Sequence, residues 1–229
     1  MTRLVVVTGG TKGIGAAVAQ RFTDAGDEVV ALGHEDLDVT DEDAVADVLG
    51  PLEVDVLVNN AGVSSSAPVH RTRLLDWQRQ LEVNATGAFL CTRAVLGGMR
   101  ARDCGRIVTV ASTAALAGQR YTAGYSASKH AAVGLMRTVA AEVAGTGVTA
   151  NAVCPTFVRT EMTARTVRNV ASRTGQSEAD SEAALAGLAP LGRLLEPAEV
   201  AFAVAFLAAA EAGAINGQTI VLDGGGVQA

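Results

Sequence analysis

The stretch LVVVTGGTKGIGAAVAQRF, residues 4–22, decides the fold class. A short run of β-branched apolar residues leads into a turn that is rich in glycine, and a helical pattern follows. Glycine permits backbone conformations and close approaches that a side chain would block, and the free N–H groups of a new helix attract an anion. The order of strand, glycine turn and helix favours a site for the pyrophosphate of a dinucleotide, although an ordinary strand-to-helix turn has a similar composition.

The rest of the chain repeats the same alternation of strand and helix. Short apolar runs that read as buried parallel strands are separated by helix-length segments; the runs are LVVV, EVVAL, VDVLV, RIVTV, VTANAV and GQTIVL. Right-handed crossovers between parallel strands place helices on both faces of one sheet. We therefore predict a single α/β domain over residues 1–229, a doubly wound Rossmann fold, with a small helical substrate lid at about residues 159–190.

Composition narrows the classes of partner. Hydrophobic residues make up 49% of the 229 residues and the formal net charge is -6, so there is no basic field to attract nucleic acid or anionic lipid. The longest apolar helical run, VAFAVAFLAAA, is too short to span a bilayer, and we expect a cytoplasmic protein. The three cysteines lie far apart, which suggests free thiols and no metal site.

Six further features, together with the TGxxxGxG spacing of the glycine turn, resemble the short-chain dehydrogenase/reductase family over nearly the whole chain: NNAG at 59–62, Asn84, Ser112, Tyr125, Lys129 and INGQTIVLDGG near the end. The resemblance implies an NAD(P)-dependent oxidoreductase that transfers hydride between nicotinamide and a ketone or secondary alcohol. It also implies a homotetramer or homodimer.

The spacing YSASK explains why Tyr125 and Lys129 belong together. Residues four apart lie on one face of a helix, so both side chains enter the same cleft. Hydride transfer to a carbonyl leaves charge on its oxygen, and a tyrosine hydroxyl can supply the proton. The ordinary tyrosine pKa of about 10 is high for this task, and we expect the Lys129 ammonium to lower it.

The remaining predicted catalytic residues are Ser112 and Asn84. Ser112 follows a strand, at the sheet edge where open α/β folds bind ligands, although Thr113 has the same chemistry. The resemblance favours Ser112 as the residue that binds the substrate oxygen. It also implies that Asn84 kinks its helix and holds a water that relays protons to the lysine, whereas the ordinary alternative is a solvated asparagine.

The resemblance also implies a set of cofactor-binding residues from the glycine turn, the second strand, NNAG, the catalytic helix and the loop after the fifth strand. The set is Gly9, Thr11, Lys12, Gly13, Ile14, Gly15, His34, Asp38, Val39, Asn60, Ala61, Gly62, Tyr125, Lys129, Pro155, Val158 and Thr160. In that loop Thr156 replaces the usual glycine, so its conformation is expected to differ.

The end of the second strand favours NADP, with NAD as the alternative. Members that use NAD usually carry an acidic residue there, whereas this chain has Gly33 followed by His34. Glu35 and Asp36 argue for NAD. The family normally inserts a helix between its second and third strands, and we expect GHEDLDVTD, residues 33–41, to join them almost directly and leave a more open adenine pocket.

The sequence says least about the identity of the substrate. Ser112, Leu116, Gln119 and Tyr125 are the predicted substrate residues, with Tyr121 as a further lining candidate. The arginines of the lid either form a solvated face or meet an anionic substrate such as an acyl-coenzyme A. A reductase of 3-oxoacyl thioesters is the specific alternative, and a non-catalytic dinucleotide-binding regulatory protein is the remote one.

Overall fold

A computed structural model describes residues 2–228 and has one six-stranded sheet at its centre. All paired strands run parallel, in the order β2-β1-β3-β4-β5-β6. The strands are β1 (Leu4–Thr8), β2 (Glu28–Leu32), β3 (Val56–Asn59), β4 (Gly105–Val110), β5 (Val148–Pro155) and β6 (Thr219–Leu222). The predicted doubly wound parallel sheet is confirmed.

Helices connect these strands and cover both faces of the sheet. They are α1 (Gly13–Asp24), α2 (Glu42–Leu49), α3 (Leu74–Leu81), α4 (Gly87–Ala101), α5 (Ala123–Glu142), α6 (Glu161–Thr174), α7 (Glu178–Ala186) and α8 (Pro197–Leu207). None of the helices within residues 2–228 combines the length and the apolar character needed to cross a membrane.

Side-chain alternation along the strands builds two cores. On β1, Val6 packs with the layer of α2, α4 and α5, while Val5 and Val7 pack with the layer of α1 and α8. All three valines are fully buried. A strand buried on both faces needs apolar residues at successive positions, which is why these strands read as continuous apolar runs.

The strand order determines where a ligand can bind. The chain runs from β1 to β2 on one side of the sheet and continues from β3 on the other side, so the order reverses beside β1. Open parallel sheets bind ligands at such a switch point, outside the carboxyl ends of the strands. The glycine turn follows β1, and NNAG overlaps the end of β3, so both lie at this crevice.

The connection from β2 to β3 differs from our expectation. Residues 33–41 are turn and loop, but α2 follows them, so the prediction of an almost direct join is wrong. The pattern EDAVADVL places Val45 and Leu49 on one helical face, and both are buried against the sheet. Asp41 caps this helix by accepting a hydrogen bond from the Ala44 N–H.

Candidate active site

The glycine turn has the geometry that a pyrophosphate requires. Gly9 and Gly13 have φ of 62° and 55°, a region that other residues rarely adopt. A Cβ on Gly15 would lie 2.1 Å from the Gly9 carbonyl oxygen. Helix α1 begins at Gly13, and its preceding residue Lys12 makes no side-chain cap. The N–H groups of the first turn therefore face the crevice without a protein cap, and the turn fits a dinucleotide phosphate.

Asn60 and Thr8 tie the glycine turn to NNAG. The Asn60 amide donates hydrogen bonds to the carbonyls of Thr8 and Gly9, both at 3.0 Å. The Thr8 hydroxyl accepts from the N–H groups of Asn60 and Ala61, both at 3.1 Å. The Asn60 amide group is thus used to shape the turn, and contact with the cofactor through this segment stays a prediction.

Asn84 lies in a widened helical segment, Glu82–Thr86, between α3 and α4. Its side chain is 3% exposed, accepts from the Val63 N–H at 2.8 Å, and donates to the Val63 carbonyl and the Ser128 hydroxyl, both at 2.9 Å. The π-helical turn agrees with the expected kink, and widened turns of this kind are frequent at functional sites. The solvated alternative for Asn84 is wrong because the residue is buried and fully engaged.

Ser112 and Tyr125 meet above the carboxyl end of β4. Ser112 is buried directly after β4, and its hydroxyl accepts from the Ala114 N–H at 3.2 Å. Its side chain lies beside the Tyr125 phenol, whose pKa it acts to lower. The neighbouring Thr113 hydroxyl instead accepts from the Gln119 amide at 3.0 Å, so the structure distinguishes the two hydroxyls that the sequence left open.

Lys129 is 5% exposed at the base of the same cleft. Its ammonium donates to the Val110 carbonyl at 2.8 Å and lies 5.8 Å from the centre of the Tyr125 ring. Burial lowers the pKa of Lys129 to about 8, because a charged ammonium loses its hydration there. A Cβ on Gly62 would lie 3.6 Å from this nitrogen, which places NNAG beside the lysine.

The pKa of Tyr125 differs from our expectation. Loss of hydration on burial raises the pKa of the half-buried phenol above the ordinary value, while the neighbouring Ser112 side chain acts in the opposite sense. The predicted lowering by Lys129 is therefore wrong. The ammonium is turned to a backbone carbonyl, and desolvation of the phenol dominates.

The loop after β5 forms the opposite wall of the cofactor crevice. Thr156 donates its N–H to the Leu222 carbonyl, and its φ is not in the left-handed region, so threonine replaces glycine without backbone strain. Val158 is 4% exposed, and no acceptor for its N–H occurs within residues 2–228. A Cβ on Gly13 would lie 3.2 Å from a methyl carbon of Thr160, which sets this loop against the glycine turn.

Acidic groups lie near the end of β2. The Asp36 carboxylate accepts the Gly33 N–H at 2.8 Å, and a Cβ on Gly33 would lie 2.8 Å from the Thr11 hydroxyl. Asp38 accepts two hydrogen bonds from Thr40, at 3.0 and 2.7 Å, which lower its pKa. The His34 side chain is 72% exposed and lies 4.0 Å from Asp38.

Val39, our predicted adenine contact, is mostly inside the protein. It is 6% exposed, and a Cβ on Gly87 would lie 2.6 Å from a Val39 methyl carbon. Little of its surface is left for a ring. Contact of Val39 with adenine stays a prediction.

A cavity of about 490 Å³ adjoins the start of the catalytic helix α5. It is lined by the loop after β3, the segment before α3, one face of α6, and residues Tyr121, Ala123 and Gly124. The four predicted substrate residues do not line it: Leu116 packs on the core, Gln119 is exposed, and Ser112 and Tyr125 lie outside the lining. Of the lining candidates read from the sequence, Tyr121 is the one that reaches this cavity.

Sequence reasoning missed Gln80 on α3. It is 2% exposed, accepts from the Ser65 N–H at 3.0 Å, and donates to the Ser65 hydroxyl and the Asp76 carbonyl, both also at 3.0 Å. A Cβ on Gly124 would lie 2.6 Å from its amide nitrogen. Gln80 therefore joins the loop after β3 to the start of the catalytic helix, a long-range role that has no local sequence signal.

The arrangement offers one chemistry clearly. A neutral phenol beside a serine hydroxyl can donate a proton to a carbonyl oxygen held between them, and a buried ammonium lies next to them. Within residues 2–228 no three His, Cys, Asp or Glu side chains are grouped to hold a metal ion. The catalytic roles of Asn84, Ser112, Tyr125 and Lys129 stay predictions, on a geometry that brings all four to one cleft.

Comparisons with known proteins agree with this description. The family model described as Enoyl-(Acyl carrier protein) reductase matches residues 35–226. The acetoacetyl-CoA reductase of Shinella zoogloeoides is 36% identical over 247 aligned positions, covering 98% of each chain. The 3-oxoacyl-(acyl-carrier-protein) reductase FabG of Salmonella typhimurium is 32% identical, covering 97% of this chain and 96% of that one.

Solved structures are similar over the same length. A variant of actinorhodin polyketide ketoreductase with NADPH has a TM-score of 0.89 at 32% identity, with 98% of this chain and 97% of that chain covered. ElxO with NADP bound has a TM-score of 0.86 at 30% identity, with 98% of both chains covered. Fold, site and relatives together define an NAD(P)-dependent oxidoreductase with a Rossmann fold. The chain belongs to the short-chain dehydrogenase/reductase family, which confirms the resemblance of its motifs.

Proposed function

We propose that this protein reduces the ketone of a 3-oxoacyl thioester to the alcohol, with NADPH as the hydride donor. The observation that carries the proposal is the grouping of Ser112, Tyr125 and Lys129 in one cleft, next to a cavity whose lining includes Ala123 and Gly124 of the same helix. Relatives named as acetoacetyl-CoA and 3-oxoacyl-(acyl-carrier-protein) reductases support the thioester. Interconversion of other ketones and secondary alcohols uses the same site.

Each residue has a separate role in this proposal. The Ser112 hydroxyl binds the ketone oxygen, and Tyr125 donates a proton to that oxygen as negative charge develops on it. Lys129 binds the ribose of the cofactor and restores the proton on Tyr125. Asn84 holds the Val63 backbone and the Ser128 hydroxyl, and so keeps the lysine side of the cleft in place. The bound cofactor supplies the hydride.

The preference for NADP rests on several observations. Neighbouring structures hold NADP or NADPH, Lys12 is exposed at the start of α1, and no carboxylate side chain belongs to the last residue of β2. The Asp36 carboxylate on the Gly33 N–H acts against a 2′-phosphate by charge repulsion. NADP is the proposed cofactor, and NAD is the alternative.

The test is a comparison of initial rates with NADPH and NADH, using acetoacetyl-CoA and a panel of simple ketones. We expect NADPH oxidation with the thioester, and a loss of about 100-fold or more in kcat for Tyr125→Phe at unchanged NADPH affinity. Unchanged turnover in Tyr125→Phe would show that another group supplies the proton. A wild-type protein that binds NADPH but turns over no carbonyl would support the non-catalytic alternative.

Three further expectations belong to this proposal. Helices α6 and α7 form the predicted helical segment near residues 159–190, and we propose that they cover the substrate as a lid. We also propose that the protein assembles as a homotetramer or homodimer. A cytoplasmic location completes the proposal.

A further inference from the structure

The cavity beside the catalytic helix carries an excess of positive charge. Four arginines line it: Arg71 and Arg73 from the segment before α3, and Arg165 and Arg173 from α6. Arg73 is neutralised by Asp76 through two hydrogen bonds of 2.7 and 2.6 Å. For Arg71, Arg165 and Arg173 no carboxylate lies within 4.0 Å among residues 2–228. Asp76 is the one acidic residue in the lining.

The arginines of α6 differ according to the face on which they lie. Met162, Arg165, Thr166, Asn169 and Arg173 all line the cavity, as residues three and four apart on one helical face would. Arg168, which does not line the cavity, pairs with Glu161 at 2.6 Å. A helix with a uniformly solvated charged face gives no reason for this division, since Arg165, Arg168 and Arg173 are all exposed to water.

The arginines without a carboxylate partner are spread along the cavity. Arg165 and Arg173 are two helical turns apart, about 12 Å along the axis at 1.5 Å per residue. Arg71 lines the same cavity from the segment before α3. The whole chain has a net charge of -6, so a local cationic cleft would draw an anionic ligand to this place in preference to the rest of the surface.

The lining of the cavity also includes the first residues of the catalytic helix. Ala123 and Gly124 line it immediately before Tyr125, and Tyr121 forms part of its rim. Tyr121 is 57% exposed and has φ of 68°, a strained conformation held by the hydrogen bond from the Ala67 N–H to its carbonyl at 2.8 Å. Strain that is retained at an exposed aromatic residue is typical of a ligand-binding position.

We propose that Arg71, Arg165 and Arg173 bind the phosphate of a phosphopantetheine arm, whose thioester end extends past Tyr121 to Tyr125. The arm is shared by coenzyme A and by carrier proteins, and the arginines recognise the phosphate that both contain. This assignment rests on the proposed reduction of 3-oxoacyl thioesters. To that proposed function it adds that these three arginines recognise the part of the substrate that does not react, and so determine specificity.

The test compares two substrates with the same reacting end. Acetoacetyl-CoA carries the phosphates, and acetoacetyl-N-acetylcysteamine is a neutral thioester without them. In the double variant Arg165→Gln/Arg173→Gln we expect the KM for acetoacetyl-CoA to rise about tenfold or more, with kcat within about twofold. The kcat/KM for the neutral thioester should stay unchanged, which also shows that the variant is folded. Arg168→Gln on the same helix is the matched control and should alter neither substrate.

Each outcome decides between the proposals. Equal changes for the charged and neutral thioesters, or no change for acetoacetyl-CoA and for an acetoacetyl-carrier protein alike, would overturn the phosphate site while leaving the reductase intact. A wild-type enzyme that reduces neither thioester would overturn the proposed function itself. Repeating the assay with an acetoacetyl-carrier protein separates the sources: loss with that substrate alone assigns the arm to a carrier protein, and loss with acetoacetyl-CoA alone assigns it to the free coenzyme.

Discussion

Replacing Lys129 by methionine should stabilise the protein near pH 7 while it abolishes turnover. Lys129 is 5% exposed, and its pKa falls from 10.5 to about 8 because burial penalises the charge. At neutral pH the folded protein still holds this lysine as an ammonium, at a cost that the unfolded chain does not bear. An uncharged side chain of similar length removes the cost.

The size of the effect follows from the shift. A lowering of the pKa by two to three units corresponds to about 3 kcal/mol at about 1.4 kcal/mol per unit. Loss of the hydrogen bond to the Val110 carbonyl offsets about 1 kcal/mol of this. Methionine fills the space without a polar atom that needs a partner. We therefore expect Lys129→Met to raise the free energy of unfolding by about 1–2 kcal/mol near pH 7.

The pH dependence identifies the cause. Between about 8 and 10.5 the unfolded chain binds the proton of Lys129 more tightly than the folded protein does, so wild-type stability rises with pH through this window. The advantage of Lys129→Met should shrink by about 2 kcal/mol between about pH 7 and pH 9.5. Urea unfolding at the two pH values measures it.

Lys12→Met is the matched control, because Lys12 is exposed and is the only other lysine in the chain. It should show no such trend. A Lys129→Met protein that is less stable than wild type near pH 7, or a stability difference that does not change with pH, would refute the reasoning.

Three further predictions test the crevice and the core. Gly15→Ala should weaken NADPH binding by about 100-fold or more in a fluorescence titration, since its Cβ would lie 2.1 Å from a backbone oxygen; Gly97→Ala, with open space around its Cβ, should bind normally, and weak binding by both variants would contradict the argument. Asn84→Ala should lower the free energy of unfolding by about 2–4 kcal/mol in urea, because the buried Asn84 side chain makes three hydrogen bonds that would lose their partner; a loss below about 0.5 kcal/mol would mean that water replaces the amide. In a thiol titration of the native protein only Cys104 should react, because it is exposed while burial raises the pKa of the other two cysteines to about 12 and about 11; rapid reaction of a second thiol would show that the core opens.

Local patterns were enough to predict the sheet. Each predicted strand overlaps an observed one, because a parallel strand buried on both faces leaves a run of β-branched residues that polar segments interrupt. The glycine turn could also be predicted from the sequence, because Gly9 and Gly13 have positive φ and Gly15 has no room for a side chain. In both cases the residues that carry the sequence pattern are the same residues that the fold constrains.

Predictions that depended on the environment of a side chain fared less well. The spacing of Tyr125 and Lys129 correctly predicts that both lie on one face of a helix. The pKa of the Tyr125 phenol depends on how deeply the phenol is buried, and this is known only from the folded structure. Helix α2 was not predicted, although the amphipathic pattern EDAVADVL directly follows the loop at residues 33–41.

Residues that act across long sequence separations had no local signal. Gln80 contacts Ser65, fifteen positions earlier, and lies against Gly124 in the catalytic helix. In the sequence, Arg165 and Arg173 cannot be told apart from Arg168 on the same helix. The structure separates them, because Arg168 pairs with Glu161 whereas the other two line the cavity. Such roles are properties of the fold and require coordinates.

The central claim is that this cleft transfers a hydride from a nicotinamide to a ketone carbon while Tyr125 supplies the proton. The most direct measurement uses acetoacetyl-CoA with NADPH deuterated at C4 of the nicotinamide, on one face and then on the other, and analyses the product by mass spectrometry. We predict that one of the two labels appears as a single deuterium at C3 of the 3-hydroxybutyryl product, and that Tyr125→Phe forms this product about 100-fold or more slowly. A reduced product without deuterium from either label, or NADPH binding with no reduction of any carbonyl, would contradict the account.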